Sequence, residues 1–179
     1  MRLGIWRAAE RLEAEESTAP SGHVIVIGYG PAGREVARTA RVAGYEPCIL
    51  DMNPASVRHA REEGMMAEIG DGTSREILEH LHASDAAAFV VTVPDPGAAI
   101  ATIHQIRTLN RDAVVVARGR YAWRIAEMEA AGADHVINEE STVGTLLGAT
   151  VVSRETGVRS DEEENWPPAR GRTPETEAD

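Results

Sequence analysis

A doubly wound α/β domain is what this chain of 179 residues predicts, on three observations. Six short apolar runs alternate with stretches of helical periodicity. The runs are apolar on both faces, as strands of a parallel sheet covered by helices on both sides must be. A glycine-rich turn joins the first run to the first helical stretch, and prolines and glycines mark the helix ends at matching places.

The strands are expected at residues 23–28 (HVIVIG), 46–51 (EPCILD), 65–69 (MMAEI), 87–93 (AAFVVTV), 113–117 (AVVVA) and 134–137 (DHVI). Helices are expected at 31–43, 54–63, 73–81, 96–109 and 121–131, with a last one from about 139 to 152. Pro31, Pro54 and Pro96 stand at first helical turns, where a missing N–H costs little. Gly44, Gly64 and Gly132 follow the last periodic residues, where a left-handed cap is usual. Six strands joined by such crossovers give a Rossmann-like parallel sheet in the order 3-2-1-4-5-6.

Three zones are expected along the chain. Residues 1–22 form a short helix, with Leu3, Trp6, Ala9 and Leu12 on one face, and a linker (STAPSG). Residues 23–152 form the α/β domain. Residues 153–179, with four Arg against eight acidic side chains, form a disordered acidic tail in which Trp166 is either an anchor or an incidental aromatic.

Composition excludes several chemistries. All 18 basic residues are Arg, so Schiff-base, phosphate-loop and general-base lysines are ruled out. A formal charge of −11 without a basic cluster argues against nucleic acid as a partner. Cys48, the single cysteine, excludes an internal disulfide and a multi-cysteine zinc site, and inside a strand it is a buried apolar residue. The six His are scattered, without metal-ligand spacing. No segment reaches the length of a membrane-spanning helix, so a soluble, cytoplasmic chain with no direct membrane insertion is expected.

The chemistry lies in Gly28-Tyr29-Gly30-Pro31-Ala32-Gly33, which fits G-x-G-x-x-G between a strand and a helix. Gly28 allows the tight turn, Gly30 the close approach of a pyrophosphate, and Gly33 close helix–strand packing. Helix N-terminal N–H groups then face the anion. Asp51, 23 positions after Gly28, is placed for ribose hydroxyls, and the following Met52 and Asn53 bring no Arg for a 2′-phosphate. NAD(H), AMP, ADP or ATP therefore fits better than NADP. Asp51 is equally compatible with capping the helix that opens at Pro54. Asp71, in Gly70-Asp71-Gly72-Thr73, either reaches the adenosine or caps the helix beginning at Thr73. Thr92 ends the fourth strand beside the switch point. Arg118 and Arg120 follow the fifth, placed either to meet an anion or to pair with a carboxylate across a subunit contact.

The ordered set GYGPAGREVA, ILDMNP, IGDGTSREIL, AFVVTVPDP, VVVARGR and AGADHVINEE resembles the RCK N-terminal domains, also called TrkA-N or KTN, of potassium channels and transporters. In particular it is similar to the version at the C-terminus of Kef-type potassium/proton antiporters. The resemblance covers about residues 22–152. It implies a cytoplasmic regulatory domain at the inner face of the membrane that dimerises, binds NAD(H) or an adenine nucleotide, and passes its state to a membrane-embedded channel or antiporter. By motif, Gly28, Gly30 and Gly33 hold phosphates, Asp51 the ribose and Asp71 with Gly72 the adenosine side, while Arg118 contacts anions near the dimer interface.

No RCK-C subdomain of the kind that often follows is expected in the acidic tail. The chain is then either a stand-alone subunit or the end of a longer protein, with the Trp6 segment as a coupling helix. The last helix, through Val143, Leu146, Leu147 and Val151, either crosses to a second subunit or packs on its own sheet. With no room for a substrate domain, no catalytic residue is expected. A small NAD-dependent oxidoreductase is the alternative, and a redox-sensing transcription regulator, lacking a DNA-binding segment, ranks last.

Overall fold

The computed structural model describes residues 22–155. The expected N-terminal helix and acidic tail lie outside the described residues, apart from Gly22 and the last helical turn. Strands β1 (Val24–Ile27), β2 (Pro47–Asp51), β3 (Met66–Ile69), β4 (Ala88–Val91), β5 (Val114–Gly119) and β6 (His135–Asn138) form one parallel sheet in the order β3-β2-β1-β4-β5-β6, as expected. Between them run α1 (Pro31–Val42), α2 (Pro54–Glu62), α3 (Arg75–His80), α4 (Pro96–Leu109) and α5 (Ile125–Ala130), and α6 (Glu139–Glu155) follows β6.

Strand alternation divides the core between two faces. Ile25 and Ile27 join Leu50, Phe89 and Val91 against Leu78 of α3, Ile103 and Ile106 of α4 and Met128 of α5. Val24 and Val26 join Ile49 against Ala37 of α1 and Val57 of α2. The helices change sides at β1 because right-handed crossovers that move outward from a central strand in opposite directions must pass over opposite faces. Cys48 is buried as expected, and burial, with Glu68 adding to it, raises its thiol pKa.

Local chemistry fixes the ends. Gly44, Gly64 and Gly132 all take positive φ (+86°, +79° and +112°). Pro31, Pro54 and Pro96 each open a helix. Several elements depart from expectation in their bounds. The stretch 121–131 opens as a 3₁₀ turn, Ala122–Arg124, before α5 begins. Strand β5 continues two residues past Ala117, since Arg118 pairs with Ile137 and Gly119 with Asn138. Arg118 is thus a strand residue, not part of the loop that follows.

One polar clamp ties this half together. The Arg107 guanidinium donates to the carbonyls of Gly132 (2.7 Å) and Ala113 (2.6 Å) and to the Asp134 carboxylate (2.6 Å), which also accepts from Val115 N–H (2.7 Å). Burial pushes the Asp134 carboxyl up, but the Val115 N–H and the Arg107 charge outweigh it and hold the pKa below the usual carboxylate range. A depressed folded-state pKa gives stability that is present above the unfolded value, about 3.9, and is lost as pH falls through the folded value. Wild type should therefore exceed Asp134→Asn in urea-melt stability at pH 7. That advantage should shrink only below about pH 4.

Considered by itself, α6 from Thr142 onward exposes Val143, Leu146, Leu147 and Val151 by 49–65%. Among the described residues, no helix is long and apolar enough to cross a membrane.

Candidate functional site

Hydrogen bonds that continue past the strand ends assemble the site. Gly28 N–H donates to Leu50 O (2.8 Å), Thr92 N–H to Ile27 O (2.9 Å) and Gly70 N–H to Asp51 O (3.1 Å). Gly28, Asp51, Gly70 and Thr92 are thereby drawn to one edge of the sheet. This is the carboxyl edge at the point where strand order reverses, the place where open α/β sheets hold ligands. A cleft of about 450 Å³ lies there, lined among others by Gly28, Gly30, Asp51, Asp71, Thr92 and Arg118. Pro31, Ala32, Met52 and Gly72 also line it. A larger groove of about 800 Å³, lined by His23, Tyr45 and Met65 among others, lies at the amino ends of β1–β3, away from the glycine-rich turn and the start of α1.

The glycines of the turn do three different things. Gly28 has φ +97°, and a Cβ there would stand 2.7 Å from Thr92 Oγ1. Gly33 has no room at all, because a Cβ would overlap the Gly28 carbonyl oxygen. Gly30 is the opposite case: a Cβ would meet nothing within 4 Å, so that position faces open space over the cleft. The helix end beside it is also open. Asn53, Ser74 and Asp95 cap α2, α3 and α4 with their side chains, whereas Gly30 leaves the start of α1 without a side-chain cap. The Ala32 and Gly33 N–H groups, in the first turn, have no intrahelical partner by geometry. The start of α1 is therefore electropositive and fits an anion.

Thr92, buried, secures the turn from below. Its hydroxyl donates to Gly28 O at 2.9 Å. Replacing it with the near-isosteric Val removes that donor and should lower stability by about 1–2 kcal/mol in thermal denaturation, with Thr92→Ser largely restoring it.

Asp51 does more than the sequence suggested. One carboxylate oxygen accepts from Tyr29 N–H (2.5 Å) and the other from Asn53 N–H (2.7 Å). It does not cap α2: Asn53 does, accepting from Ala55 N–H at 2.9 Å. Each Asp51 oxygen keeps acceptor capacity for a hydroxyl. Asp71 likewise turns its own loop, accepting from Thr73 N–H (2.9 Å), while Ser74 caps the helix, which starts two residues later than expected. Asp71 is therefore not the cap.

The structure separates some residues that the motif groups together. Tyr29 lies outside the cleft. Its ring is buried with Val57 and Ala60, its hydroxyl donates to Glu63, and burial together with Glu63 raises the phenol pKa. Its N–H is already used by Asp51. Gly33 supports the turn from behind without lining the cleft, and a Cβ at Gly72 would press on Ile27 (2.8 Å). Met52 stands exposed at the rim. Arg118 lines the cleft and is engaged within its own chain by Glu139, through Nε (2.8 Å) and Nη2 (2.7 Å). Thr102, buried in α4, and Ser56 also line the cleft; their spacing in the sequence carries no signal for it. No cluster of three or more potential metal ligands occurs among the described residues.

Comparison with known proteins identifies the family of the fold. The model of the TrkA-N domain matches residues 24–139. A putative K(+) efflux antiporter KefB of Alkalimonas amylolytica is 31% identical over 130 residues, 73% of this chain but 20% of that protein. The chain thus spans about a fifth of the length of that relative. Among solved structures, the Shewanella denitrificans Kef C-terminal domain in its AMP-bound form is 26% identical, with a TM-score of 0.61 over 76% of this chain and 88% of that one. The TrkA-N domain of the Escherichia coli inner membrane protein YbaL gives a TM-score of 0.70 at 22% identity, covering 73% and 97%. The GsuK channel bound to NAD gives 0.60 at 18% identity, covering 74% and 25%. On fold and match together, the chain belongs to the TrkA-N domain family.

Proposed function

We propose that this chain is a nucleotide-sensing regulatory domain of potassium or other monovalent cation transport, not an enzyme. It binds NAD(H) or an adenine nucleotide (AMP, ADP or ATP) in the cleft at the β1–β4 switch point. The observation that carries this reading is the uncapped start of α1 beside an open Gly30. The Ala32 N–H at the cleft wall, with the Gly33 N–H behind it in the same helical turn, holds phosphate, Asp51 accepts the ribose hydroxyls, and Asp71 with Gly72 and Met52 borders the adenosine. Asp51 repels a 2′-phosphate, so NADP(H) is disfavoured.

The related Kef domain with AMP and the GsuK channel with NAD support this ligand class. The domain works as a homodimer through the exposed apolar face of α6, on the cytoplasmic side of a membrane-embedded channel or antiporter. It comprises about residues 23–152, the N-terminal segment linking it to that partner. Nucleotide shifts the population between two dimer arrangements, and only a difference in affinity between them can move the gate.

Titration of the protein with AMP, NADH and NADPH, followed by sedimentation with and without ligand, tests the reading. Micromolar-range binding of AMP or NADH, weak NADPH binding and a dimer are expected. Asp51→Ala should weaken binding about ten- to a hundredfold, by loss of one charged acceptor worth roughly 1.5–3 kcal/mol. A protein that binds none of the three refutes the assignment.

A further inference from the structure

The cleft holds an electrostatic problem that its own residues resolve. A ligand carrying phosphate brings negative charge to a site bordered by Asp51 and Asp71. Among the described residues lining it, Arg118 is the single cation. Yet Arg118 is already engaged, with Nε and Nη2 both directed at the same oxygen, Oε2, of Glu139. Glu139 is the first residue of α6, where a carboxylate is favoured by the helix dipole. The pair is partly exposed, 29% for Arg118 and 38% for Glu139, so it is open to exchange.

We propose that Glu139 is an internal competitor for the ligand's phosphate. It occupies Arg118 when the cleft is empty and gives it up when a phosphate arrives. Glu139 thereby sets how strongly the site prefers a phosphorylated adenosine ligand over the bare nucleoside. This inference rests on nucleotide binding in the cleft. Binding of a phosphate releases a carboxylate at the first turn of α6, which ties ligand charge to the start of the helix with the exposed apolar face.

The test is calorimetric titration of the full chain with AMP and with adenosine, at low ionic strength, for wild type, Glu139→Gln, Arg118→Gln and the double variant. Glu139→Gln keeps size and hydrogen-bonding capacity and removes the competing charge. AMP affinity should rise about three- to fivefold, the range a partly exposed ion pair can supply. Adenosine affinity should stay unchanged. Arg118→Gln should bring AMP down toward adenosine, and in that background Glu139→Gln should have no effect.

Unchanged or weaker AMP binding by Glu139→Gln overturns the proposal, as does an equal gain for AMP and adenosine. So does a gain that persists without Arg118. If wild type binds neither AMP nor adenosine, nucleotide binding itself fails and the competition with it. Wild-type binding of both with no response to Glu139→Gln refutes the competition alone.

Discussion

Gly30→Val should abolish measurable nucleotide binding and leave the fold intact. Gly30 has φ −73° and ψ −168°, an extended conformation that a β-branched residue adopts without strain. A Cβ there touches nothing within 4 Å. The valine methyls would project instead into the space over the uncapped start of α1, where a phosphate must approach the Ala32 and Gly33 N–H groups. Losing that approach costs charge-assisted hydrogen bonds of about 1.5–3 kcal/mol each. A fall in affinity of about a hundredfold or more is expected in calorimetry. The melting temperature should stay within about 2 °C of wild type, as for a surface substitution.

Gly33→Val, three residues along the same motif, should do the reverse and cost the fold itself. Its Cβ would overlap Gly28 O and lie 3.1 Å from Thr92 Oγ1. Neither neighbour can yield. Gly28 is held by its N–H bond to Leu50 O, and Thr92 is buried and bonded to Gly28 O. Helix α1 would have to lift from β1, opening the contact of Ala37 with Val24 and Val26. Overpacking of this kind, against backbone, should cost at least about 3 kcal/mol. For a domain of this size that is a fall in melting temperature of about 10 °C or more. The pair of variants separates ligand recognition from packing inside one motif.

How much of this was legible in the sequence depends on how local each cause is. The sheet order was legible because each strand is a short apolar run and each crossover but the third, where Ser74 caps the helix and His82 takes the left-handed turn, begins at a proline or ends at a glycine. The end of β5 was not. Arg118-Gly119-Arg120 looks like a loop, and only pairing with β6, some 19 residues away, makes Arg118 and Gly119 strand residues. Nor does the motif reveal which glycine faces the ligand. That follows from where each Cβ would point in the folded turn, inward at Gly33 and outward at Gly30.

The site divides in the same way. Asp51 and Asp71 were legible as acidic residues at strand ends, since the βα turn places them at one edge. Their bonds to Tyr29, Asn53 and Thr73 were not foreseen, and these removed the helix-capping alternatives for both. Tyr29 shows the limit of motif reasoning: the variable position of G-x-G-x-x-G turns its side chain to the opposite face, into the core under α2. The Arg118–Glu139 pair spans 21 residues with nothing in the spacing to announce it.

The central claim is that the switch-point cleft takes an adenosine-bearing ligand without a 2′-phosphate. A thermal-shift panel of the full chain with NAD, NADH, NADPH, AMP, ADP and ATP tests it most directly. At about 100 times its dissociation constant, a ligand stabilises the fold by about 2.7 kcal/mol, which such a melt resolves easily. The account predicts upward shifts with NAD(H) or the adenine nucleotides, none with NADPH, and loss of every shift in Gly30→Val. Shifts that survive in Gly30→Val, or no shift with any of the six, would contradict it.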